Sequence, residues 1–385
     1  MKTASEAVSW HRLGLVAILC FGCAGATARR QDPPTREYPA GVTRVLWRTP
    51  IHERGLFEPR SEECASGAIV GDRLIIGSRA GRAVALALSD GRQLWSTPVT
   101  GNVDSETRYD PTHKQAYLGT DDGFIYALDP AGGQIRWSYK TRGAVERRPE
   151  LGGDAVYFST TSDRVVALDP RTGKAVWQYE REAPEGFTIH GHAGPRLAQG
   201  FIYAGFSDGY LVSLNAGTGD VVWARSLASA SEQYVDVDST PALLGPDLLL
   251  AASYSGGLYA LATNSGDVRW RVNVEGASAV QVIDKHLFFA APRDGLTALT
   301  DTGEVLWRQG LADAGDLSPP FAVGSALVFS GSRSGLFFVD RASGRLLEIF
   351  NPGRGMCAPA TVAPDGQTLY ILANSGSVYA VALSL

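Results

Sequence analysis

Gly123-Phe124-Ile125-Tyr126-Ala127-Leu128-Asp129-Pro130-Ala131-Gly132-Gly133-Gln134-Ile135-Arg136-Trp137 is the stretch that decides the fold. Ile125 and Ala127 alternate with Tyr126 and Leu128, all apolar, which is the pattern of a short strand buried on both faces. Asp129-Pro130 and Gly133 then form a turn ending in positive φ, so the chain can reverse into a second strand carrying Trp137. The phrase recurs from Val165 to Gly173 and Trp177, from Gly209 to Gly219 and Trp223, from Gly257 to Gly266 and Trp270, and from Gly295 to Gly303 and Trp307. A first copy runs from Gly81 to Gly91 and Trp95, and a seventh, from Gly335 to Gly344, places Glu348 where the others have Trp. Successive Trp positions lie 37 to 48 residues apart, room for four short strands, which marks each copy as a β-propeller blade. The Trp fills the space between adjacent blades, where one large aromatic buries much area.

An eighth copy is divided between the chain ends. Gly376-Ser377-Val378-Tyr379-Ala380-Val381-Ala382-Leu383 supplies its inner part and stops short of a Trp strand, while Val42-Thr43-Arg44-Val45-Leu46-Trp47 is a Trp strand with nothing before it. Pairing the two closes the ring and removes open sheet edges. The expectation is therefore an all-β, eight-bladed propeller of four-stranded blades over residues 42–385, with the N-terminal strand completing the last blade. Cys64 and Cys357 each precede the innermost strand of a blade, the first and the eighth. They form a candidate disulfide across the seam, against the alternative of two buried thiols.

The 385 residues carry 44 Gly, 20 Pro and eight Trp with 19% charged residues, a composition typical of a folded chain. A net charge of −5 shows no nucleic-acid footprint. Residues 1–22 read as an export signal, with Lys2, His11 and Arg12 ahead of an apolar run from Leu13 to Phe21 that is too short to span a bilayer. Gly22-Cys23 resembles a lipobox, making Cys23 the expected site of lipidation, although Cys20 stands where such boxes usually have Leu. Cleavage near Ala24-Gly25-Ala26 is the alternative. Ala24 after the cysteine fits sorting to the outer membrane, and residues 23–41 would be the lipidated cysteine and a flexible tether.

Connections from a Trp strand to the next blade all emerge on one face, and two consecutive ones are long. They carry Phe187, Ile189, His190 and His192 in the first and Tyr234, Asp236 and Asp238 in the second. Long neighbouring loops on a rigid scaffold are where binding sites are usually placed. The competing reading folds the aromatics inward and sets the acids on turn amides. His190 and His192 with Asp236 and Asp238 are also suitable metal ligands, but no third ligand run accompanies them, so neither metal nor cofactor is expected. No His-Glu-x-x-His pair or Walker loop occurs, and the chain is read as a non-enzyme.

The repeated Ala-Leu-Asp-x-x-Thr-Gly-x-x-x-Trp resembles the phrase of pyrroloquinoline-quinone enzymes and of the BamB-like propeller lipoproteins of the outer-membrane β-barrel assembly machinery. The quinoproteins are longer and carry a vicinal Cys-Cys pair, whereas Cys64 and Cys357 are far apart. The assembly lipoproteins are similar over residues 23–385. Asp236-Val237-Asp238-Ser239-Thr240-Pro241 is similar to their Asp-Val-Asp-Thr-Thr-Pro segment, and Phe187-Thr188-Ile189-His190-Gly191 to their Leu-Ser-Leu-Arg-Gly loop, with His190 in place of Arg. That resemblance implies a non-enzymatic scaffold, lipid-anchored on the periplasmic face of the outer membrane. It would bind the periplasmic domains of the barrel-forming subunit through Phe187, Ile189, His190, Asp236 and Asp238, with unfolded outer-membrane proteins implied as further partners. A quinone-dependent dehydrogenase, or another periplasmic propeller adaptor, is the alternative.

Overall fold

A computed structural model of the chain describes residues 41–52, 62–182, 193–228, 235–311 and 313–384. These form eight antiparallel sheets of four strands each. Blade 3 is representative, with an innermost strand Glu150–Gly152, then Ala155–Thr160 and Arg164–Leu168, and an outer strand Ala175–Glu180. The described residues contain no helix. Blade 8 has the split origin expected of it. Thr361–Val362, Thr368–Ala373 and Ser377–Leu383 come from the C-terminal end, and Thr43–Pro50 pairs antiparallel with the last of them from Thr43 opposite Leu383 to Pro50 opposite Ser377. Apolar side chains pack between blades as well as within them: Tyr157, Val165 and Trp177 of blade 3 share one core with Ile202, Val212 and Leu214 of blade 4.

The Trp of each outer strand reaches forward to the next blade. In six blades its indole N–H donates to a carbonyl in the next blade's turn between third and outer strands: Trp47 to Leu88, Trp95 to Pro130, Trp137 to Pro170, Trp177 to Ala216, Trp223 to Thr263 and Trp307 to Arg341, all at 2.8–3.1 Å. The ring lies against the glycine of the same turn. At Gly173, with φ +68, an added Cβ would stand 2.6 Å from Trp137, so this position needs glycine both for its backbone and for the space. In every blade the outer strand carries one extra residue immediately before the Trp or its equivalent, for example Val176 between Ala175 and Trp177. Such a bulge twists an edge strand away from other strands. The large apolar side chains left exposed among the described residues, including Leu46, Val176, Val222 and Leu306, sit at the extra position or beside it.

Glu348 now has a physical reason. The blade after it has no turn between third and outer strands, because Ser377–Leu383 and Thr43–Pro50 are not consecutive in sequence. What blade 8 presents instead is the start of a strand with free amides. The Glu348 carboxylate accepts from the Val42 N–H and the Thr43 hydroxyl, and from the Thr43 N–H at 3.1 Å. Where six other blades use an indole donor to reach a turn carbonyl, blade 7 uses an acceptor to reach a strand's N-terminus. Cys64 and Cys357 are bonded, with Cα atoms 4.7 Å apart, so a covalent link joins blades 1 and 8 beside the hydrogen-bonded closure.

Two outcomes follow. Glu348→Leu leaves the Val42 and Thr43 amides unmet and lowers stability by about 1–3 kcal/mol in urea unfolding; Glu348→Trp does not restore it, since no turn carbonyl faces the indole. Reduction of the Cys64–Cys357 bridge, which closes a 293-residue span, lowers stability by about 2–5 kcal/mol in the same assay.

Candidate functional site

The two long connections leave blade 3 after Glu180 and blade 4 after Ser226, on the face that also bears the turns between second and third strands. Phe187, Ile189, His190 and His192 lie outside the described residues, as does Tyr234. The stems on either side are described. At the outgoing stem of the first connection, Arg181 donates its backbone N–H to the Asp163 carbonyl at 3.0 Å and its Nε to Asp208 Oδ2 at 2.6 Å. Its guanidinium lies 4.3 Å above the Tyr210 ring. Burial alone would weaken this cation's hold on its proton, but Asp208 and Tyr179 raise its pKa above the ordinary value. Asp163, buried and with φ 52, is held in turn by accepting from the N–H of Ser207 at 2.9 Å and from its hydroxyl. An open polar cleft of about 740 Å³ lies at this stem, lined by Arg142, Thr161, Ser162, Glu180, Arg181 and Glu182. Its shape and charges suit a protein surface better than a small enclosed ligand.

The return stem of the second connection is the segment Asp236-Val237-Asp238-Ser239-Thr240-Pro241, and most of its atoms serve the scaffold. The Asp236 carbonyl accepts from the Tyr254 N–H at 3.1 Å, and the Val237 N–H donates to the Phe206 carbonyl at 3.1 Å. The buried Val237 side chain packs on Gly205. Ser239 Oγ accepts from the Ala252 N–H at 2.9 Å, as Ser105 and Ser318 do at matching places on blades 2 and 7. Thr240 Oγ1 accepts from the Gly194 N–H at 2.9 Å, and the Pro241 carbonyl accepts from Arg196 Nε at 3.1 Å.

The two acids fare differently. Asp236 is only 2% exposed, because its segment is pinned to the turns of both blade 4 and blade 5. The expectation of two surface carboxylates is corrected to one, since Asp238 alone is partly open to solvent. Even there Oδ1 is covered and accepts no hydrogen bond among the described residues. Burial pushes the Asp238 carboxyl up to about 7, Arg147 opposes the shift, and Asp236 adds to it. A second acid at the matching position of blade 2, Asp104, was not singled out from sequence. Burial raises it to about 6 despite Arg79, whose Nη2 lies 3.2 Å from Oδ2, with Glu146, Asp121 and Glu63 adding to the rise. Its signal was present: Val103-Asp104-Ser105 repeats Val237-Asp238-Ser239. Among the described residues, the group with metal-ligand spacing is Glu62, Cys64 and Cys357, where both sulfurs are already engaged in the disulfide.

A closed ring of eight repeated four-stranded blades, with connections of uneven length on one face, is a β-propeller. The chain belongs to the family described as outer membrane protein assembly factor BamB, whose model matches residues 43–116, 112–300 and 256–384. It is 25% identical over 373 residues to the outer membrane protein assembly factor BamB of Burkholderia pseudomallei, covering 94% of this chain and 95% of the relative. It is 27% identical over 329 residues to that of Escherichia coli, covering 82% and 83%. Among solved structures, BamB from Moraxella catarrhalis superposes with a TM-score of 0.76 at 23% identity, over 89% of this chain and all of that one. A quinohemoprotein alcohol dehydrogenase from Pseudomonas putida shares the fold at a TM-score of 0.69 and 11% identity, over 89% of this chain and 76% of that one. The named sequence relatives are assembly factors rather than enzymes, and the chain stands with them.

The Asp238 carboxyl is raised from an ordinary 3.8 to about 7 in the folded chain, which therefore holds more protons than the unfolded one between those values. Stability contributed by this group falls as pH rises through that window and is level above it. Asp238→Asn is expected to be relatively more stable than wild type at about pH 8 and to lose that advantage at about pH 4, read as the difference between their urea unfolding midpoints.

Proposed function

We propose that the chain is a scaffold lipoprotein of outer-membrane β-barrel assembly, binding the periplasmic domains of the barrel-forming subunit through the face that carries the two long connections. The observation that carries this reading is the family membership of nearly the whole propeller, together with the way the return stems of those two connections are tied to each other. Phe187, Ile189 and His190 supply apolar and polar contacts from the first connection. Asp238 supplies a carboxylate from the second, and the buried Asp236 holds the segment and its field. Unfolded outer-membrane proteins are further partners in this reading. Residues 1–22 are removed on export, Cys23 is acylated, and residues 24–41 tether the propeller to the periplasmic face of the outer membrane. The work is done by binding alone: holding partners side by side at the membrane raises their effective concentration without making or breaking a bond.

The deciding measurement is capture of the intact lipoprotein from detergent-solubilised membranes. Wild type is expected to bring down the barrel-forming subunit. Asp238→Arg should reduce recovery by about tenfold, the value of one desolvated charge contact, while circular dichroism shows the fold retained. Absence of the subunit from the wild-type eluate would overturn the proposal.

A further inference from the structure

Three neighbouring outer strands carry apolar pairs on the rim of the propeller, and the chain enters the propeller among them. The pairs are Val305-Leu306 on blade 6, Leu346-Leu347 on blade 7 and Val45-Leu46 on blade 8, and in each the second residue is the extra one of the bulge. Val305, Leu306, Val45 and Leu46 are 44–47% exposed. The apolar surface runs on from blade to blade: Trp307 and Leu346 border one core, and Leu347 and Val42 border the next. The charged side chains of these three strands are Arg44, Arg48, Arg308 and Glu348. Glu348 is taken up by Val42 and Thr43, which leaves three exposed cations. Arg44 among them makes no hydrogen bond or ion pair with a described residue. Blade 4 carries an exposed pair of its own, Val221-Val222, but it stands opposite blade 8 in the ring, away from the point where the chain enters.

We propose that this rim sector of blades 6 to 8 lies against the lipid surface of the membrane, so that the propeller stands edge-on beside its anchor. The proposal rests on the acylation of Cys23 given above. Only residues 24–41 separate Cys23 from Val42, and Glu348 pins Val42 between blades 7 and 8, inside the sector. A surface beside the root of a tether meets the membrane as an intramolecular event, so contacts too weak to hold a free protein are made there. The chemistry is that of a shallow interfacial site: apolar side chains enter the headgroup boundary while neighbouring arginines meet lipid phosphates. Depth is limited by the free backbone groups of an edge strand, which hydrocarbon cannot satisfy. A convex rim also lays only a few neighbouring blades on a flat surface. Each outer strand runs from its apolar pair towards the face where the two long connections leave after Glu180 and Ser226. Edge-on docking through the start of the strands therefore leaves that face uncovered.

The test has two arms. In the first, the intact acylated chain is reconstituted into vesicles of phosphatidylethanolamine and phosphatidylglycerol. It carries an environment-sensitive dye on Leu306→Cys or, on the opposite rim, on Val222→Cys, with the Cys64–Cys357 bridge left oxidised. The dye at position 306 is expected to shift to the blue and to be quenched by brominated lipid, and the dye at position 222 to do neither. In the second arm, residues 23–385 with Cys23→Ala, which carry no acyl group, are sedimented with the same vesicles. Leu46→Ser plus Leu306→Ser should weaken this binding by about tenfold, and Arg44→Gln plus Arg48→Gln by about as much. Val221→Ser plus Val222→Ser should change it by less than about twofold, with every variant keeping its unfolding midpoint. Equal dye responses at the two positions, or equal losses from the two serine pairs, would overturn the proposal. So would self-association of the Cys23→Ala chain that Leu46→Ser plus Leu306→Ser abolishes, since the rim would then belong to a second copy. An intact chain whose mass shows no acyl group would remove the anchor instead, and the sedimentation arm alone would then decide the rim.

Discussion

The contact on which the rest of this structure depends is the forward reach of each blade's Trp onto the turn of the next. It is directional, since the indole N–H must meet a carbonyl and the ring must lie on a glycine, and it repeats around the ring. Apolar packing between blades is favourable but tolerant of small rotations. The indole contact adds a polar requirement with a short reach, and so sets the angle at which one blade follows another. A ring closes only if that angle recurs at every interface.

The place where the recurrence fails explains the most unusual residue of the repeat. Because Thr43–Pro50 and Ser377–Leu383 pair in one blade without being consecutive in sequence, that blade lacks the turn a Trp would need, and Glu348 accepts from Val42 and Thr43 in its stead. The Cys64–Cys357 bridge lies on the other side of that blade, joining it to blade 1. Blade 8, whose strands come from opposite ends of the propeller sequence, is thus tied by Glu348 to blade 7 and by the disulfide to blade 1.

A rigid ring can carry connections of different length without losing its geometry, and the segment from Asp236 to Pro241 shows how closely such a connection is tied to the blades. Val237, Ser239, Thr240 and Pro241 are occupied in fixing the segment to neighbouring blades, and Asp236 is buried with them. Of the two acids in the stretch, Asp238 is the one partly open to solvent. Read as a linear motif, the segment looks like a row of contacts; in the fold it is chiefly a clamp.

The number of blades, their four-strand pattern and the closure by Thr43–Pro50 were legible in the order of residues, because period-two apolar runs, turn glycines and Trp spacing are local features that recur. So were the two long connections and the candidate disulfide. What the indole N–H bonds to, the extra residue before each Trp, the acceptor role of Glu348, the burial of Asp236 and the tie between Gly194 and Thr240 were decided only in three dimensions. Each depends on groups a blade or more apart in sequence, and no local pattern encodes the distance between two blades until the ring has closed.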